Sequence, residues 1–449
     1  MCKNNPYRKM IHLCKFSDKY KDKTRKELIK EMYDLYVEKE KLEKELNKYK
    51  NANTPSSSNK HIKPDTQGLK AKKGAKRGAP KGHKGVTFIW PNTDKIIPLS
   101  VKRCGVCKSR NIVPTGYTKK KKVICLIKPK IIVKEYHQQE GRCLDCYNLT
   151  LANHKNIPEK GIYDKTIQSL VNYLKFKARL PHNLVVDVMN NIFNVPMTEP
   201  TSLEITRRAS NKLEPLYLEL EENIKQEDVV NSDETSHSVM GINHWVWVFC
   251  NTMISLFKFN KERGGDIVEK TLGENFNGSL VSDGWKTYLV YSKKHGVKLQ
   301  RCLVHLRREV KHECKEKHSD LYKWCCDICS MVKKGRLYKQ KKRRLDTYEK
   351  CKAELSMLVT HMEAHTNLRK LATKIRNGED YWFTTLLYPE LPMDNNEAER
   401  SLRPFVLIRK MIGCLRSEVG MKNYEVMMSL ISTWQKQGKN AFYTLEATL

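Results

Sequence analysis

Residues 391–404 read LPMDNNEAERSLRP and concentrate three carboxylates, two arginines and two asparagines in a segment typical of a loop entering a helix. So many charges are costly in a purely structural segment, and they make the stretch a candidate for chemistry on charged groups. Its carboxylates are Asp394, Glu397 and Glu399. Two more acids stand upstream beside apolar, strand-like runs, Asp233 in VVNSDETSHSV and Asp283 in GSLVSDGWKTY. We predict that Asp233, Asp283 and Glu399 form one divalent-metal site.

The composition indicates a polyanionic partner. The chain has 84 Lys and Arg against 50 Asp and Glu, a formal net charge of +34 over 449 residues. A compact protein with this charge repels itself unless it meets a polyanion, so nucleic acid is the expected partner and a merely solvated basic surface is the alternative. The length accommodates about two to four domains with buried cores.

The sequence predicts neither a membrane span nor export. The longest unbroken apolar run, residues 245–250, is too short to cross a bilayer, and the start MCKNNPYRKM lacks the apolar core of a signal peptide. We therefore expect a soluble, cytoplasmic protein without a membrane partner, associated with the nucleoid when it is bound to DNA. The 15 cysteines of such a protein favour metal ligation or burial over a disulfide framework.

The N-terminal region, residues 1–52, carries a heptad pattern. Its apolar column, with one residue at every seventh position, consists of Leu28, Leu35, Leu42 and Tyr49. This spacing is typical of a coiled coil and predicts a homo-oligomer, with a single amphipathic helix packed on its own protein as the alternative.

Residues 53–87 have the composition of a basic linker. The tract KAKKGAKRGAPKGHKG cannot form a hydrophobic core, so we expect a flexible tether. Tracts of Gly and Lys also follow phosphate backbones, which predicts contacts with DNA; a solubilising spacer is the alternative. The predicted DNA-binding residues of the linker are Lys72, Lys73, Lys76, Arg77 and Lys81.

Two CxxC pairs in residues 88–155 predict a zinc-ribbon-like finger. The four cysteines are Cys104, Cys107, Cys143 and Cys146. Four thiolates satisfy tetrahedral Zn²⁺ in a closed, structural site. The alternating run VICLIKPKIIVKEY, residues 123–136, predicts a hairpin that brings the two pairs together, and Cys125 within it is expected in the core. Unligated cysteines or a redox pair are the alternatives.

Residues 156–226 are helical in pattern. Two short helices are followed by a break at VPMTEP, and the capping box from Thr201 to Glu204 predicts the start of a third helix. Arg207 and Arg208 lie on the exposed side of that helix, which fits a helix-turn-helix-like DNA-binding region. An ordinary three-helix packing unit has the same pattern.

Residues 227–303 and 391–449 are predicted to form the catalytic core. Three short strands rich in aromatic and β-branched residues, then a helix, then the strand GSLVSD, give the element order of the ribonuclease H fold. Residues 304–390 are a basic helical insertion, in which Cys326 and Cys329 are more typical of a buried helix face than of zinc ligands. The predicted fold class is α+β and multidomain: coiled coil, finger, helical DNA-binding region, and a ribonuclease H-like core with a helical insertion.

Phosphodiester chemistry accounts for the three acids. Two Mg²⁺ ions about 3.5–4 Å apart activate the attacking oxygen and neutralise the leaving oxygen, and such hard cations take carboxylate ligands. One Asp on a strand, a second on its neighbour and a Glu from a helix suffice. Mn²⁺ has the same ligand preference and is the alternative ion.

At this point the sequence resembles a known family. SDETSHSV followed by HWVWV, LVSDGWKTY followed by CLVHLRR, and DNNEAERSLRPFVLIRKMIG followed by SLISTWQKQG look like transposases of the insertion-sequence-66 family. The heptad region, the SSS linker, the GAPKGHKG tract and the paired CxxC motifs match as well, so the resemblance covers nearly the whole chain.

The resemblance assigns roles position by position. Asp233, Asp283 and Glu399 match the family's catalytic acids, in its DET, DGY-like and NNxAER motifs. Cys302 and His305 match its CxxH element, which we interpret as orienting the site and not as a zinc site. The supporting residues are Cys302, His305, Arg400 and Arg403. Trp285 replaces the usual tyrosine, and the segment after Arg409 departs from the family's RKN pattern.

The resemblance implies a DNA transposase. Such a protein binds the ends of its mobile element and the target DNA, then catalyses cleavage and strand transfer with Mg²⁺ or Mn²⁺, as a homo-oligomer that can require accessory proteins. A transposase-derived regulator that holds DNA without cutting it is one alternative, although the intact acids favour the enzyme. A structure-specific nuclease on the same fold is another, and it predicts hydrolysis without joining.

Overall fold

A computed structural model describes residues 24, 27, 30–31, 33–39, 92–124, 129, 131–154, 156–264, 266–314 and 317–449. The chain divides into two compact units, Pro55–Pro129 and a larger one formed by Met1–Thr54 with Lys130–Leu449. Residues 33–39 are helical, and most of the predicted coiled coil lies outside the described residues. The predicted DNA-binding residues of the linker also lie outside them: Lys72, Lys73, Lys76, Arg77 and Lys81.

The predicted hairpin over residues 123–136 is wrong where the structure describes it. Residues 123–124, 129 and 131–136 are not in strands. A short hairpin lies further on, where β1 (Glu140–Arg142) pairs antiparallel with β2 (Leu149–Leu151) around the second CxxC pair. Pro129 interrupts the predicted run, and proline cannot donate to a strand ladder.

Within residues 156–226, all of which are described, the chain forms three helices: α1 (Lys165–Asn172, continued by a π-helical turn, Tyr173–Lys177), α2 (His182–Asn191) and α3 (Glu199–Ile224). The Asp164 side chain accepts from Ile167 N at 3.0 Å and caps α1. The predicted start of the third helix at Thr201 is wrong, since α3 begins at Glu199 with Pro200 in its first turn. Proline is well suited to that position because its fixed φ is helical and it needs no N–H partner there.

Helix α3 serves two hydrophobic cores. Its first half contributes Ile205 to a small core with α1 and α2. Its second half contributes Leu213, Tyr217 and Ile224 to the core of the main sheet. A 26-residue helix of this kind joins the helical region to the sheet within the larger unit.

The main sheet combines antiparallel and parallel pairing. Its strands are β3 (Val229–Val239), β4 (Ile242–Cys250), β5 (Ser255–Asn260), β6 (Ser279–Ser282), β7 (Lys298–Arg301) and β8 (Cys414–Leu415). The order is β5-β4-β3-β6-β7, and β8 pairs with the far end of β3. The first three strands are antiparallel, and β3, β6 and β7 are parallel. Helix α4 (Asp266–Leu272) connects β5 to β6, in the predicted succession of elements, and α5 (Lys286–His295) connects β6 to β7.

The helices after β7 fall into two groups, one within the region predicted as an insertion and one after it. The insertion contains α6 (Leu303–Cys314), α7 (Ser319–Gly335), α8 (Lys341–Glu363), α9 (Arg369–Arg376) and α10 (Thr384–Leu387). It has its own hydrophobic core, in which Cys325, Cys329 and Cys351 are buried. Helices α11 (Asn396–Ile412), α12 (Glu418–Lys436) and α13 (Ala441–Thr448) return to the sheet. None of the described helices is both long and apolar enough to span a bilayer.

Side chains of α12 close the edge of the sheet at β5. Four helix residues advance about 6 Å and two strand residues about 6.7 Å, so every fourth residue of α12 can meet every second N–H group of β5. The pairs are Glu425 Oε1 with Phe259 N (2.6 Å), Ser429 Oγ with Phe257 N (2.8 Å) and Thr433 Oγ1 with Ser255 N (3.0 Å). The edge strand is thereby protected from pairing with another chain.

We expect Ser429→Ala to lower the free energy of unfolding by about 1–3 kcal/mol, because the buried N–H group of Phe257 loses its acceptor. Ser432→Ala, on the same helix, is the matched control and should stay within about 0.5 kcal/mol of wild type. Urea unfolding followed by circular dichroism measures both. Equal effects of the two substitutions would show that the bond to the edge strand adds nothing.

Candidate active site

The pairing of β3 with β6 places Asp233 beside Asp283. Asn231 lies opposite Val281 in this parallel ladder. Asp233 comes two residues after Asn231, and Asp283 comes two residues after Val281. Because side chains alternate along a strand, residues two apart lie on the same face. Asp233 therefore lies on the same face as Asn231, and Asp283, directly after the end of β6, is close enough for its charge to raise the pKa of Asp233.

Asn395 anchors the start of α11 to the same strand. Its buried side chain donates from Nδ2 to the carbonyl of Ser232 at 2.7 Å and accepts from Asn231 Nδ2 at 3.0 Å. Its backbone N donates to the buried thiol of Cys302 at 3.2 Å. The first turn of α11 is thus fixed over β3, directly beside Asp233.

Glu399 lies one helical turn after Asn395, on the same face of α11. Its N donates to the Asn395 carbonyl at 3.1 Å, and Leu402 on this side of the helix is buried. The carboxylate is held by the first helix of the insertion. Arg308 Nη1 lies 3.1 Å and His305 Nε2 3.5 Å from Glu399 Oε1.

The three predicted acids are close enough to affect one another electrostatically. Burial raises the pKa of Asp233 to about 8, and the negative charges of Asp283, Glu234 and Glu399 add to the increase. Only the backbone N of Glu234, at 3.0 Å, donates to the Asp233 carboxylate among the described residues. The Asp283 carboxylate accepts from Trp285 N at 2.8 Å.

The donor set suits a hard divalent cation, although the acids do not converge on one point. In the part of the chain that the structure describes, no three His, Cys, Asp or Glu side chains are arranged to hold one ion. Glu399 is instead paired with Arg308, while Asp233 has no cationic partner among these residues. Oxygen ligands with uncompensated negative charge are what Mg²⁺ and Mn²⁺ prefer, so the residues fit the metal.

Glu397 faces away from these acids. Its carboxylate lies 2.6 Å from Arg400 Nη2 and 3.0 Å from Lys436 Nζ on α12. Burial opposes ionisation, but these two cations outweigh it and lower the pKa of Glu397. A carboxylate in the first turn of a helix is expected to be solvated and aligned with the positive end of the helix dipole. For Glu397 this expectation is wrong, because the residue is half-buried in an ion pair with Lys436, which is distant in sequence. Asp394 accepts from Asn396 N at 3.1 Å at the start of α11.

Glu234 is a buried acid that sequence reasoning missed. It points to the other face of β3, where its carboxylate contacts Arg263 Nη2 at 2.7 Å and accepts from Tyr288 Oη at 2.7 Å. Burial raises its pKa, against the effect of these two partners. The sequence signals a buried Glu234 only through its position next to Asp233, because adjacent residues of a strand lie on opposite faces of the sheet. Asn395 was also missed, and the NN doublet before the helix was its signal.

The other predicted site residues lie in different places. Cys302 is buried, and burial raises the pKa of its thiol to about 11. Arg400 pairs with Glu397 and not with the three acids, and Arg403 is exposed. Arg207 pairs with Glu204 at 2.7 Å, while Arg208 donates to the Lys160 carbonyl, so their contact with DNA stays a prediction.

Each predicted zinc-binding pair lies on a tight turn. Cys104 N donates to Ser109 O at 2.8 Å, and Lys108 closes the turn with a φ of 62°. The second pair repeats this geometry in the larger unit, where Cys143 N donates to Asn148 O at 2.9 Å. Backbone N–H groups of the turn lower the pKa of Cys104 and Cys143, which favours the thiolates that metals bind.

The comparison with known families matches this part of the chain. A family model described as Transposase IS66 family covers residues 160–423, more than half of the 449 residues. The matched range contains the three acids and the insertion between β7 and α11. Among curated proteins no relative matches the chain.

We expect Asp233→Asn to stabilise the metal-free protein, increasingly so as the pH rises from about 5 to 8. The carboxyl ionises near pH 3.8 when unfolded but keeps its proton to about pH 8 when folded. Ionisation therefore favours unfolding across this window, and asparagine removes that cost. Melting temperatures in EDTA at several pH values measure the effect. The exposed Asp228→Asn is the control, and a pH-independent difference for Asp233→Asn would contradict the prediction.

Proposed function

We propose, because this chain belongs to the IS66 transposase family, that Asp233, Asp283 and Glu399 are the metal-binding acids of an enzyme that cleaves and joins DNA. One observation carries this proposal. The parallel register of β3 and β6 places two acids side by side, next to the helix that bears the third.

The catalytic core is proposed to be ribonuclease H-like. The strand order β5-β4-β3-β6-β7, with three antiparallel strands followed by two parallel ones, supports this assignment. Ligands of open α/β sheets bind beyond the carboxyl ends of parallel strands, and Asp283 follows β6 at that end.

The proposed metal is Mg²⁺ or Mn²⁺, held by Asp233 and Asp283 with Glu399. When bound, such ions activate an attacking oxygen and neutralise the leaving oxygen of a phosphodiester. Asp233 must lose its proton to act as a ligand, which the nearby acids oppose and a cation favours. Glu399 must exchange its contact with Arg308, whose side chain is 59% exposed and can turn to a DNA phosphate.

The DNA is proposed to contact the basic surface of the insertion, in addition to the linker and α3. Cations cluster around the turn between α7 and α8, and those that are exposed are Lys333, Lys334, Lys339, Lys341, Lys342 and Arg343. Such a cluster binds phosphates without reading sequence. Self-association through residues 1–52 and the use of accessory proteins are proposed with it, as the family resemblance implies.

Structural Zn²⁺ on the two CxxC pairs completes the proposal. The matching turns and the lowered pKa of their first cysteines support thiolate ligation. Such a metal contributes folding free energy directly to a region whose described residues belong to none of the three hydrophobic cores.

We expect Glu399→Gln to reduce Mg²⁺-dependent cleavage by more than about a hundredfold while DNA binding is preserved. Loss of a direct ligand should exceed the ~10- to 100-fold effect of losing an outer-shell partner. Glu397→Gln is the matched control, since it removes an equal charge two residues away and faces Lys436. Cleavage and strand transfer are measured on labelled DNA of the element's own ends.

Each outcome of that comparison is informative. An inactive Glu397→Gln beside an active Glu399→Gln would reverse the assignment of the two residues. A wild-type protein that binds the ends in Mg²⁺ and Mn²⁺ without cutting them would favour the DNA-binding regulator, and cutting without joining would favour a nuclease.

We expect Cys143→Ser to lose the bound zinc, because three remaining ligands leave the coordination incomplete. Binding to the DNA ends should weaken, while the catalytic core should stay folded. Metal analysis of the purified proteins measures the stoichiometry. Cys351→Ser, at a buried cysteine of the insertion core, is the control and should keep the zinc. Full zinc content in Cys143→Ser would exclude ligation by all four cysteines.

A further inference from the structure

An aromatic and cationic stack lies immediately beside Asp283. The Arg263 guanidinium is 3.7 Å from the centroid of the Trp285 ring and 4.6 Å from that of Trp245. Cations at such distances are attracted to the faces of indole rings, so the three side chains form one layered unit.

A buried acid holds this stack in place. Glu234, whose side chain is fully buried, binds Arg263 through Nε at 2.8 Å and Nη2 at 2.7 Å. Its second oxygen accepts from Tyr288 Oη at 2.7 Å. Because removing the guanidinium would leave a buried charge unpaired, Arg263 has a fixed position and orients the indole that rests on it.

Trp285 is also tied to the site through its backbone. Its N donates to the Asp283 carboxylate at 2.8 Å at the start of α5, so the backbone that carries the ring is bonded to the acid. The residue is nevertheless 37% exposed. Arg263 covers one side of the indole, and this exposure leaves apolar ring surface open to solvent beside an acid of the proposed active site.

We propose that Trp285, supported by Arg263, is a stacking platform for one unpaired nucleobase of the DNA next to the reacting phosphate. Every base has a π face, so an open indole binds a base without reading its identity. The inference rests on the proposed function, because it uses DNA as the substrate of the neighbouring acids. It assigns Trp285 to holding the DNA and gives it no part in the bond changes.

The test compares two ligands that differ only in their bases. Binding of a short oligothymidylate and of a matched abasic deoxyribose-phosphate oligomer is measured in Ca²⁺ for the full chain. We expect the wild type to prefer the oligothymidylate and Trp285→Ala to lose about tenfold of that preference, as is typical of one base on an aromatic ring. Trp285→Tyr should retain most of it, because an aromatic face remains.

Two control variants separate stacking from charge and from general surface effects. Lys286→Ala removes an exposed cation next to the platform and should lower the affinity for both ligands by the same factor. Tyr443→Ala removes an aromatic ring that is 65% exposed on α13 and should change neither affinity. A Trp285→Ala protein that keeps the full preference for bases would overturn the proposal.

A crosslinking experiment locates the base directly. Oligothymidylate carrying 5-iodouracil is irradiated with the wild-type protein, and the crosslinked peptides are identified by mass spectrometry. We expect a crosslink at Trp285, and crosslinks only at other residues would contradict the platform. Because neither experiment requires cleavage, a failed platform leaves the roles of the three acids untouched, and an inactive metal site leaves the stacking result interpretable.

Discussion

The parallel pairing of β3 with β6 is the constraint on which the candidate site depends. It brings Asp233 and Asp283 near one another through the backbone, since the ladder sets the register of the two strands. Asn395 positions the third acid against the same strand. Its side chain donates to the Ser232 carbonyl, and Glu399 lies one helical turn after it. All three acids are therefore positioned relative to β3. A register slip of one residue would turn Asp233 to the opposite face and separate it from the others.

The charges around β3 are compensated unequally on its two faces. Glu234 is buried but paired with Arg263, whereas Asp233 has no cationic partner among the described residues. A buried carboxylate that is unpaired keeps its proton until a cation compensates its charge, which the raised pKa of Asp233 reflects. The contrast between Glu234 and Asp233 supports a cation beside Asp233 more strongly than the burial of either residue does alone. It also explains why the guanidinium of Arg263 is firmly seated, which makes it a suitable base for an indole.

The sequence predicted the local features of the site well and the long-range ones poorly. Asp233 and Asp283 follow from apolar, strand-like runs, and the start of α11 follows from its charges, because these signals lie within a few residues. The pairing of Glu397 with Lys436 joins residues of two helices, and no local pattern encodes it. The hairpin expected over residues 123–136 failed for a related reason. Alternation records a preference for strands, but a strand forms only where a partner satisfies its backbone, and the described residues there have none.

The insertion leaves the sheet and returns to it at one point. Leu303 N donates to the Met393 carbonyl at 3.0 Å, so the chain departs after β7 and re-enters before α11 through hydrogen-bonded ends. The side chain of Gln300 on β7 also accepts from Thr385 N at 2.7 Å, which ties this strand to the insertion. A module with its own core and joined ends can be accommodated without disturbing the register of the sheet. Its first helix nevertheless carries Arg308 and His305 to Glu399, so the element that bears the basic surface also forms one wall of the site. A phosphate of the proposed DNA that reached α6 would compete with Glu399 for Arg308, which would couple the binding of DNA there to the charge of the carboxylate cluster.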